Sequence, residues 1–381
     1  MRSNSQGVKV ILAANMSWPV VNFRLPLIRD LVANGCSVEV LSPDWPGEQL
    51  EILRSAGARG LTFPLQRTGI NPLWDIRTLW HLYRHFRNSK PQVVFSFGAK
   101  TNVWGMVAAR MARVPRRVAM VEGMGYAFTD SPGGGVNRGL LRWILRMLYR
   151  LAFASAHRVV LLNQDDLRDL TNLCGLDESK AYLLGPIGIP LEDWPMREPH
   201  LNPITFTMVG RILREKGVME YLEAARIVKS RHPEVRFNLL GPLFDNPGTL
   251  SAMDIKPYVE DGTVCWPGMV DVKPWLERTS VFVLPSYYRE GVPRSTQEAM
   301  AMGRPVITTD SVGCRDTVED RVNGFLVPPR DVAALAEAME RFVMEPELIV
   351  RMGLESRRMA EERFDMRSAN RRIMEVMGVI A

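Results

Sequence analysis

Short apolar segments alternate with amphipathic segments along the first half of the chain. Short apolar runs are typical of strands buried on both faces of a parallel sheet. Amphipathic segments with apolar positions every three or four residues are typical of helices that cover such a sheet. The alternation therefore predicts βαβ units. The predicted strands are Val8–Ala14, Ser37–Leu41, Val93–Phe97, Arg117–Val121 and Arg158–Leu162, and the predicted helices include Val20–Ala33, Leu73–Arg87 and Asn102–Ala112.

The same alternation restarts after a segment with five prolines between Pro186 and Pro203, and 381 residues are enough for two separate cores. Prolines at this density interrupt regular structure, so residues 191–202 are predicted to be a linker. The second set of predicted strands is Ile204–Val209, Arg236–Leu240, Val281–Leu284 and Val306–Thr308. We thus predict an α/β chain with two doubly wound domains: residues 1–190 and 203–364, with a helical C-terminal segment at 365–381.

Two glutamates, Glu290 and Glu298, are separated by seven residues directly after the predicted strand Val281–Leu284. Both are expected at the carboxyl edge of a parallel sheet, where open α/β sheets bind ligands. Gly291 leaves backbone N–H groups open at a helix start, which suits a phosphate. A carboxylate inside the helix can accept hydrogen bonds from paired sugar or ribose hydroxyls. The pattern indicates a nucleotide-sugar site.

Further motifs follow a fixed order along the chain: Asn15–Trp18, Ser96–Asn102, Glu122–Thr129, Val209–Gly217, and Ser311–Asp316 with Asn323–Val327. Together with residues 285–309, they resemble the E-x7-E region and associated motifs of the retaining family-4 glycosyltransferases, over most of the chain. The resemblance is to the bacterial branch that extends polyprenyl-diphosphate-linked sugars, including N-acetylgalactosaminyltransferases. One E-x7-E pattern occurs often by chance, whereas the ordered set is specific.

The resemblance implies the GT-B fold, in which two Rossmann-like domains face a central cleft and a C-terminal helix returns to the first domain. It implies a retaining, metal-independent hexosyltransferase that moves a sugar, an N-acetylhexosamine such as GalNAc, from UDP to an undecaprenyl-diphosphate-linked saccharide. No cofactor is expected, because the nucleotide sugar is a substrate and the chain lacks an Asp-x-Asp motif for a metal-bound diphosphate. The alternatives are a GDP-sugar donor or a soluble acceptor. A dinucleotide-dependent oxidoreductase would need G-x-G-x-x-G after the first strand, which Ala13–Trp18 lacks.

The resemblance also assigns roles to residues that bind the donor. Arg211 and Lys216 are expected to contact the diphosphate, whose negative charge grows as it leaves; the alternative is a loop with solvated charges. Glu290 would orient the transferred sugar and Glu298 the ribose. The remaining expected donor contacts come from the side chains of Asn15 and Ser17 and the backbone amides of Gly291 and Val292.

Glu122 follows the predicted strand Arg117–Val121 and is our candidate general base for the acceptor hydroxyl. The alternative is a structural carboxylate that accepts hydrogen bonds from the glycine-rich loop after it. Gly98, Lys100 and Thr101 lie between a strand and a helix start, a composition suited to an anion. We assign these three residues to the acceptor diphosphate, with a plain helix start and a surface lysine as the alternative.

Charge is distributed unevenly: the net charge of +6 comprises +10 in the first 190 residues and −4 in the remainder. A basic half indicates a polyanionic partner, either a membrane or nucleic acid. No nucleic-acid recognition motif accompanies the charge, so we expect no nucleic-acid partner. Four scattered cysteines without C-x-x-C predict reduced thiols, and no apolar stretch reaches the length of a spanning helix or resembles a signal peptide.

Residues 137–156 combine basic and apolar positions. Trp143 and Tyr149 are possible interfacial anchors among several leucines. A helix of this kind can lie in a bilayer interface; the alternative is a core helix with a solvated arginine edge. The lipid-linked acceptor favours an anionic membrane surface, so we expect peripheral attachment at the cytoplasmic face of the inner membrane. The arginines recur every four residues and predict one stripe: Arg138, Arg142, Arg146 and Arg150.

Overall fold

Two compact units make up the chain in the computed structural model, which describes residues 7–66, 71–124, 128, 137–243 and 248–380. Each unit contains one parallel sheet with helices packed against it, which confirms the predicted pair of doubly wound α/β units. The first unit comprises Met1–Glu122, Gly135–Gly185 and Ser368–Ala381, and the second comprises Gly123–Gly134 and Pro186–Arg367.

The sheet of the first unit has seven parallel strands: β1 (Lys9–Ala14), β2 (Ser37–Ser42), β3 (Arg59–Thr62), β4 (Val93–Phe97), β5 (Arg116–Val121), β6 (Arg158–Leu161) and β7 (Ala181–Leu183). Their spatial order is β3-β2-β1-β4-β5-β6-β7. β1 lies between β2 and β4, so that Val10 is opposite Val38 on one side and Val93 on the other. β4 is buried throughout because its sequence, VVFSF, is almost entirely apolar.

The helices of the first unit are α1 (Ser17–Pro19), α2 (Leu25–Ala33), α3 (Gly47–Ser55), α4 (Pro72–Ser89), α5 (Ala99–Met111), α6 (Asn137–Ser155) and α7 (Gln164–Cys174). A π-helical turn at Val20–Arg24 joins α1 to α2. The connections from β3 to β7 all cross the sheet in one direction, so right-handed crossovers place α4, α5, α6 and α7 on the same face. Within that layer α5 packs between α4 and α6.

The sheet of the second unit has six parallel strands: β8 (Thr205–Val209), β9 (Arg236–Leu240), β10 (Cys265–Gly268), β11 (Val281–Leu284), β12 (Val306–Thr309) and β13 (Gly324–Val327). Their order is β10-β9-β8-β11-β12-β13, so the order reverses between β8 and β11, where doubly wound sheets bind ligands. The helices are α8 (Val218–Arg231), α9 (Ala252–Glu260), α10 (Lys273–Glu277), α11 (Arg294–Ala301), α12 (Val332–Met344) and α13 (Glu347–Arg363), and α14 (Met366–Met377) starts in this unit but lies mostly in the first.

The boundaries of the two units differ from the predicted ones. The main segment of the second unit begins at Pro186, before the predicted linker, because Ile189 is buried in its core and its N–H donates to the carbonyl of Phe364 at 2.9 Å. The expected linker contains a helical turn at Leu191–Asp193 within this unit. α14 begins in the second unit and continues in the first, where Asn370 Nδ2 donates to Asp30 Oδ2 at 2.8 Å.

Candidate active site

Two loops at the carboxyl edge of the second sheet are tied together. One follows β8 and ends at Gly217, and the other follows β11. The backbone N–H groups of Tyr287 and Tyr288 both donate to the carbonyl of Glu215 at 2.9 Å. Gly217 has φ +77°, and a Cβ there would lie 2.1 Å from the carbonyl oxygen of Pro285. Only glycine permits this close approach, which fixes one loop against the other.

A cation and a carboxylate meet where these loops join. Lys216 Nζ donates to Glu290 Oε1, and Ser286 Oγ donates to the same oxygen at 3.1 Å. Both partners of the ion pair are largely buried. The cationic groups of Arg211 and Lys216 are each 5.8 Å from the ring centroid of Tyr288. The structure thus brings together three residues of the predicted donor site, with Tyr288 and Ser286 as additions that the motif did not indicate.

Glu298 lies inside α11, the helix that starts after this loop. Burial raises the pKa of its carboxyl group, while Arg294, one turn earlier, acts in the opposite direction. Arg294 Nε donates to Glu298 Oε1 at 2.8 Å and so fixes the carboxylate. Sequence analysis overlooked Arg294, although the i,i+4 spacing of opposite charges on a helix was a visible signal. Among the described residues, no group of three or more His, Cys, Asp or Glu side chains is placed to hold a metal ion.

The backbone around Gly291 is packed closely against the loop that follows β12. Gly313 has φ +76°, and a Cβ there would lie 2.3 Å from the carbonyl oxygen of Gly291. The carbonyl of Val292 accepts a hydrogen bond from Gln297 Nε2 at 3.2 Å. Gly313, the glycine of the motif at 311–316, is therefore required for packing. Because it has no Cβ, the loop after β12 can contact the loop that contains Glu290.

In the first unit, the loops after β1 and β4 are adjacent. Gly98 has φ +92°, and a Cβ there would lie 2.9 Å from Cγ of Asn15. The N–H of Ser17 donates to Asp44 Oδ1 at 3.0 Å, and Asp44 also accepts from Ser42 Oγ at 2.9 Å. Ser17 Oγ is buried and has no hydrogen-bond partner in the described structure. Asn15, Ser17 and Gly98 thus lie at the carboxyl edge of the first sheet.

The side chains of Lys100 and Thr101 are both used within the first unit. Lys100 Nζ donates to Asp75 Oδ1 at 2.9 Å. Thr101 is fully buried, and its hydroxyl donates to the carbonyl of Gly98 at 2.9 Å. These contacts occupy the hydroxyl of Thr101 and one N–H donor of Lys100, as in the alternative, a helix start stabilised by a local hydrogen bond and an ion pair. The assignment of Gly98, Lys100 and Thr101 to an acceptor diphosphate stays a prediction.

Glu122 is paired with a buried arginine that sequence analysis missed. Arg24 Nη2 donates to Glu122 Oε1 and lies 3.3 Å from Met120 Sδ, and the guanidinium carbon is 5.3 Å from the ring centroid of Phe97. Arg24 is 1% exposed, whereas the side chain of Glu122 is 36% exposed. Nε and Nη1 of Arg24 are buried without a partner in the described part of the chain. Arg24 lies on the otherwise apolar face of its helical segment. A charged residue at an apolar position of the helical pattern was a signal in the sequence.

The exposed side of α6 includes apolar as well as basic side chains. Arg142 and Arg146 are half-buried, Arg150 and Trp143 are exposed, and nothing is described for the side chain of Arg138. Tyr149 is buried and stacks on Phe153 with a centroid distance of 5.4 Å, so it is no interfacial anchor. No described helix is both long and apolar enough to cross a membrane. The outward positions of α6 are mostly apolar: Leu140, Trp143, Met147 and Leu151.

Family models match both units. Residues 21–185 match the model described as a glycosyl transferase 4-like domain. Residues 203–345 match the model described as glycosyl transferases group 1. The two matches follow the division of the chain into its two sheets.

Curated relatives cover most of the chain. It is 28% identical over 344 residues to N,N'-diacetylbacillosaminyl-diphospho-undecaprenol alpha-1,3-N-acetylgalactosaminyltransferase of Campylobacter jejuni, covering 86% of this chain and 88% of the relative. It is 26% identical to UDP-Gal:alpha-D-GlcNAc-diphosphoundecaprenol alpha-1,3-galactosyltransferase of Escherichia coli, covering 74% of each chain. Among solved structures, Anabaena Alr3699/HepE in complex with UDP matches with a TM-score of 0.73 and 17% identity, covering 98% of this chain and 100% of that one. This structural likeness supports the fold.

Proposed function

The chain belongs to the glycosyltransferases of GT-B fold, and on this premise we propose that it extends an undecaprenyl-diphosphate-linked saccharide by one sugar taken from a UDP-sugar. The main support is the cluster of Lys216, Glu290 and Glu298 at the carboxyl edge of the second sheet. Support for the acceptor class comes from two similar transferases whose names specify undecaprenyl-diphosphate-linked saccharides. The N-acetylgalactosaminyl transfer named for one of them makes GalNAc our first candidate sugar.

In the proposed reaction, the bond between the anomeric carbon and the UDP oxygen breaks while a bond to the acceptor oxygen forms. UDP leaves with growing negative charge on its phosphates, which the fixed cations Lys216 and Arg211 stabilise. An ammonium group has three N–H donors, so Lys216 can bind a phosphate oxygen while it keeps its contact with Glu290. With these cations we propose transfer that needs no metal ion.

Glu298 is proposed to accept hydrogen bonds from the two ribose hydroxyls of the donor. Arg294 holds its carboxylate in one orientation, and this preorganisation lowers the entropic cost of binding. Glu290 is proposed to orient the hydroxyls of the sugar, from a position fixed by Ser286 and Lys216. The backbone amides of Gly291 and Val292, at the start of α11, are proposed to face the phosphates.

Glu122 is proposed to orient the acceptor hydroxyl and to take its proton as the new bond forms. Double displacement would require a carboxylate close under the anomeric carbon. We instead propose attack from the face that UDP leaves, which retains the anomeric configuration. Arg24 then acts as a positioning residue, because it contacts Glu122 and is itself buried.

The test is transfer from radiolabelled nucleotide sugars to short polyprenyl-diphosphate-linked saccharides, with a water-soluble sugar acceptor in parallel. Lys216→Met and Glu298→Gln are expected to reduce kcat/KM by about 100-fold or more. Lys256→Met and Glu260→Gln, an exposed ion pair on α9, are the matched controls and should behave as wild type. Transfer only from GDP-sugars or only to soluble sugars would favour the alternative family-4 activity. Wild-type turnover of both site variants would refute the proposed site.

The lipid-linked acceptor leads us to propose peripheral attachment at the cytoplasmic face of an anionic membrane. Support comes from α6, on which Leu140, Trp143 and the basic residue Arg150 are exposed. Tryptophan and arginine together are typical of helices at a bilayer interface. Replacement of the four α6 arginines by glutamine should weaken flotation with anionic liposomes; unchanged flotation would contradict a contact through these arginines.

A further inference from the structure

Both the inward and the outward face of α4 contain apolar side chains. Asp75, Thr78, Leu82 and Phe86 point into the first unit and are buried. On the opposite side Leu73 is 78% exposed, Ile76 61% and Trp80 55%. Exposed apolar side chains are ordinary when they are scattered singly, but a line of three at helical spacing indicates a surface that binds something.

Basic residues accompany this line. Asp75 is the only acidic residue of α4 and is paired with Lys100 on the inward side. Partial desolvation lowers the pKa of the exposed His81, and the positive charges of His85, Arg84 and Arg77 lower it further. A shallow groove of about 420 Å³ runs along the helix and is lined by Arg77, Trp80, His81, Arg84, His85 and Asn88.

α6 belongs to the same helix layer as α4 and also has exposed apolar residues. α5 packs against α4 on one flank and against α6 on the other, and all three helices cover the same face of the sheet. Trp143 and Met147 of α6 are exposed, as is Met111 at the end of α5. Apolar side chains and arginines are therefore found on both α4 and α6, two helices of one layer.

We propose that the outward face of α4, defined by Leu73, Ile76, Arg77, Trp80, Arg84 and Arg87, docks onto an anionic phospholipid bilayer. The apolar side chains would enter the interface, while the guanidinium groups contact lipid phosphates and the indole lies at the headgroup level. Nucleic acid would use the arginines alone and leave Leu73 and Ile76 exposed, so a lipid surface matches the whole face. The inference extends the proposed function, whose acceptor is anchored in a membrane.

Flotation of the full chain with vesicles separates this surface from others. Wild type is expected to float with vesicles of phosphatidylcholine and phosphatidylglycerol at low salt and to float poorly with phosphatidylcholine alone. Arg77→Gln, Arg84→Gln and Arg87→Gln combined should weaken partitioning about 100-fold, since each arginine near an anionic surface contributes a factor of about five. Leu73→Ser, Ile76→Ser and Trp80→Ser combined should also reduce flotation, and at high salt too.

The matched control changes exposed residues of α13 in the second unit: Val350→Ser, Arg351→Gln and Leu354→Ser combined. It should float as wild type. Circular dichroism identifies any variant that is unfolded. The proposal would be overturned if both α4 variants floated like wild type. It would also be overturned if wild type bound neutral vesicles as well as anionic ones, or bound double-stranded DNA more tightly than anionic vesicles. Transfer to a short-chain, water-soluble acceptor should be unaffected by the α4 changes. Failed transfer with intact flotation would refute the proposed function alone.

Discussion

Replacing Glu122 by alanine leaves the guanidinium group of Arg24 as an unpaired charge inside the first unit. The opposite change, Arg24→Met, leaves a carboxylate that water can reach, because the side chain of Glu122 is 36% exposed and that of Arg24 only 1%. The two deletions of one ion pair should therefore have unequal costs. We expect Glu122→Ala to be the more destabilising of the two.

The magnitudes follow from burial. Removing one partner of a buried pair costs about 3–5 kcal/mol when the charge left behind cannot be hydrated, and this applies to Glu122→Ala. Arg24→Met removes a charged hydrogen bond but leaves no buried charge, and its cost should be about 1–2 kcal/mol. Glu122→Gln retains an acceptor oxygen and should be intermediate. In the double variant Arg24→Met/Glu122→Gln, the costs should fall short of additivity by about 1–3 kcal/mol.

Urea unfolding monitored by tryptophan fluorescence measures these free energies, and hydrogen exchange of β5 against β8 assigns the loss to the first unit. Turnover is then measured where each variant is folded. The double variant should be more stable than Glu122→Ala, because it leaves no buried charge. If Glu122 takes the proton, the double variant should still transfer sugar slowly. Equal destabilisation by Arg24→Met and Glu122→Ala would refute the reasoning from burial. Glu122→Gln with more than half of wild-type turnover would remove the catalytic role.

Burial raises the pKa of Glu298, and a protonated carboxyl accepts fewer hydrogen bonds than a carboxylate. The affinity for UDP should therefore fall as the pH is lowered through a value above the pKa of an ordinary glutamate. Calorimetry at several pH values tests this, with Glu298→Gln as the variant that should lack the pH step. Gly217→Ala should destabilise the second unit by about 2–4 kcal/mol, because the new Cβ would clash with Pro285. Gly262 has a similar φ and open space around it, so Gly262→Ala should cost about 1 kcal/mol. Equal losses of unfolding free energy for the two variants would contradict the clash. Cys265 is exposed and the other three cysteines are buried, so iodoacetamide should add one label to the native protein and four after unfolding; more than one native label would contradict the burial.

The central strands were predictable because burial on both faces requires apolar sequence. β9 (Arg236–Leu240) and β11 (Val281–Leu284) have the predicted bounds. The strands that the pattern missed are the outermost ones of the two sheets: β3, β7, β10 and β13. An edge strand has a neighbour on one side only and tolerates polar residues, as in the sequence RGLT of β3.

Site residues near each other in sequence were easier to foresee than pairs formed by folding. The motif indicated Glu290 and Glu298, but the partner of Glu290 lies 74 residues earlier, at Lys216. The pair of Arg24 and Glu122 spans 98 residues. Periodicity gives the face on which a residue lies and says nothing about which distant side chain it meets. The arginine stripe predicted for α6 stays a prediction, and periodicity did not indicate that Leu140, Trp143, Met147 and Leu151 are exposed as well.

The C-terminal segment has a consequence for synthesis of the chain. Residues Ser368–Ala381 belong to the first unit, although the whole sheet of the second unit is translated before them. Arg116 of β5 donates from Nη2 to the carbonyl of Val376 at 2.6 Å. On the ribosome, the unit that is begun first is thus completed last, and it waits for the residues of α14 with part of its surface still uncovered.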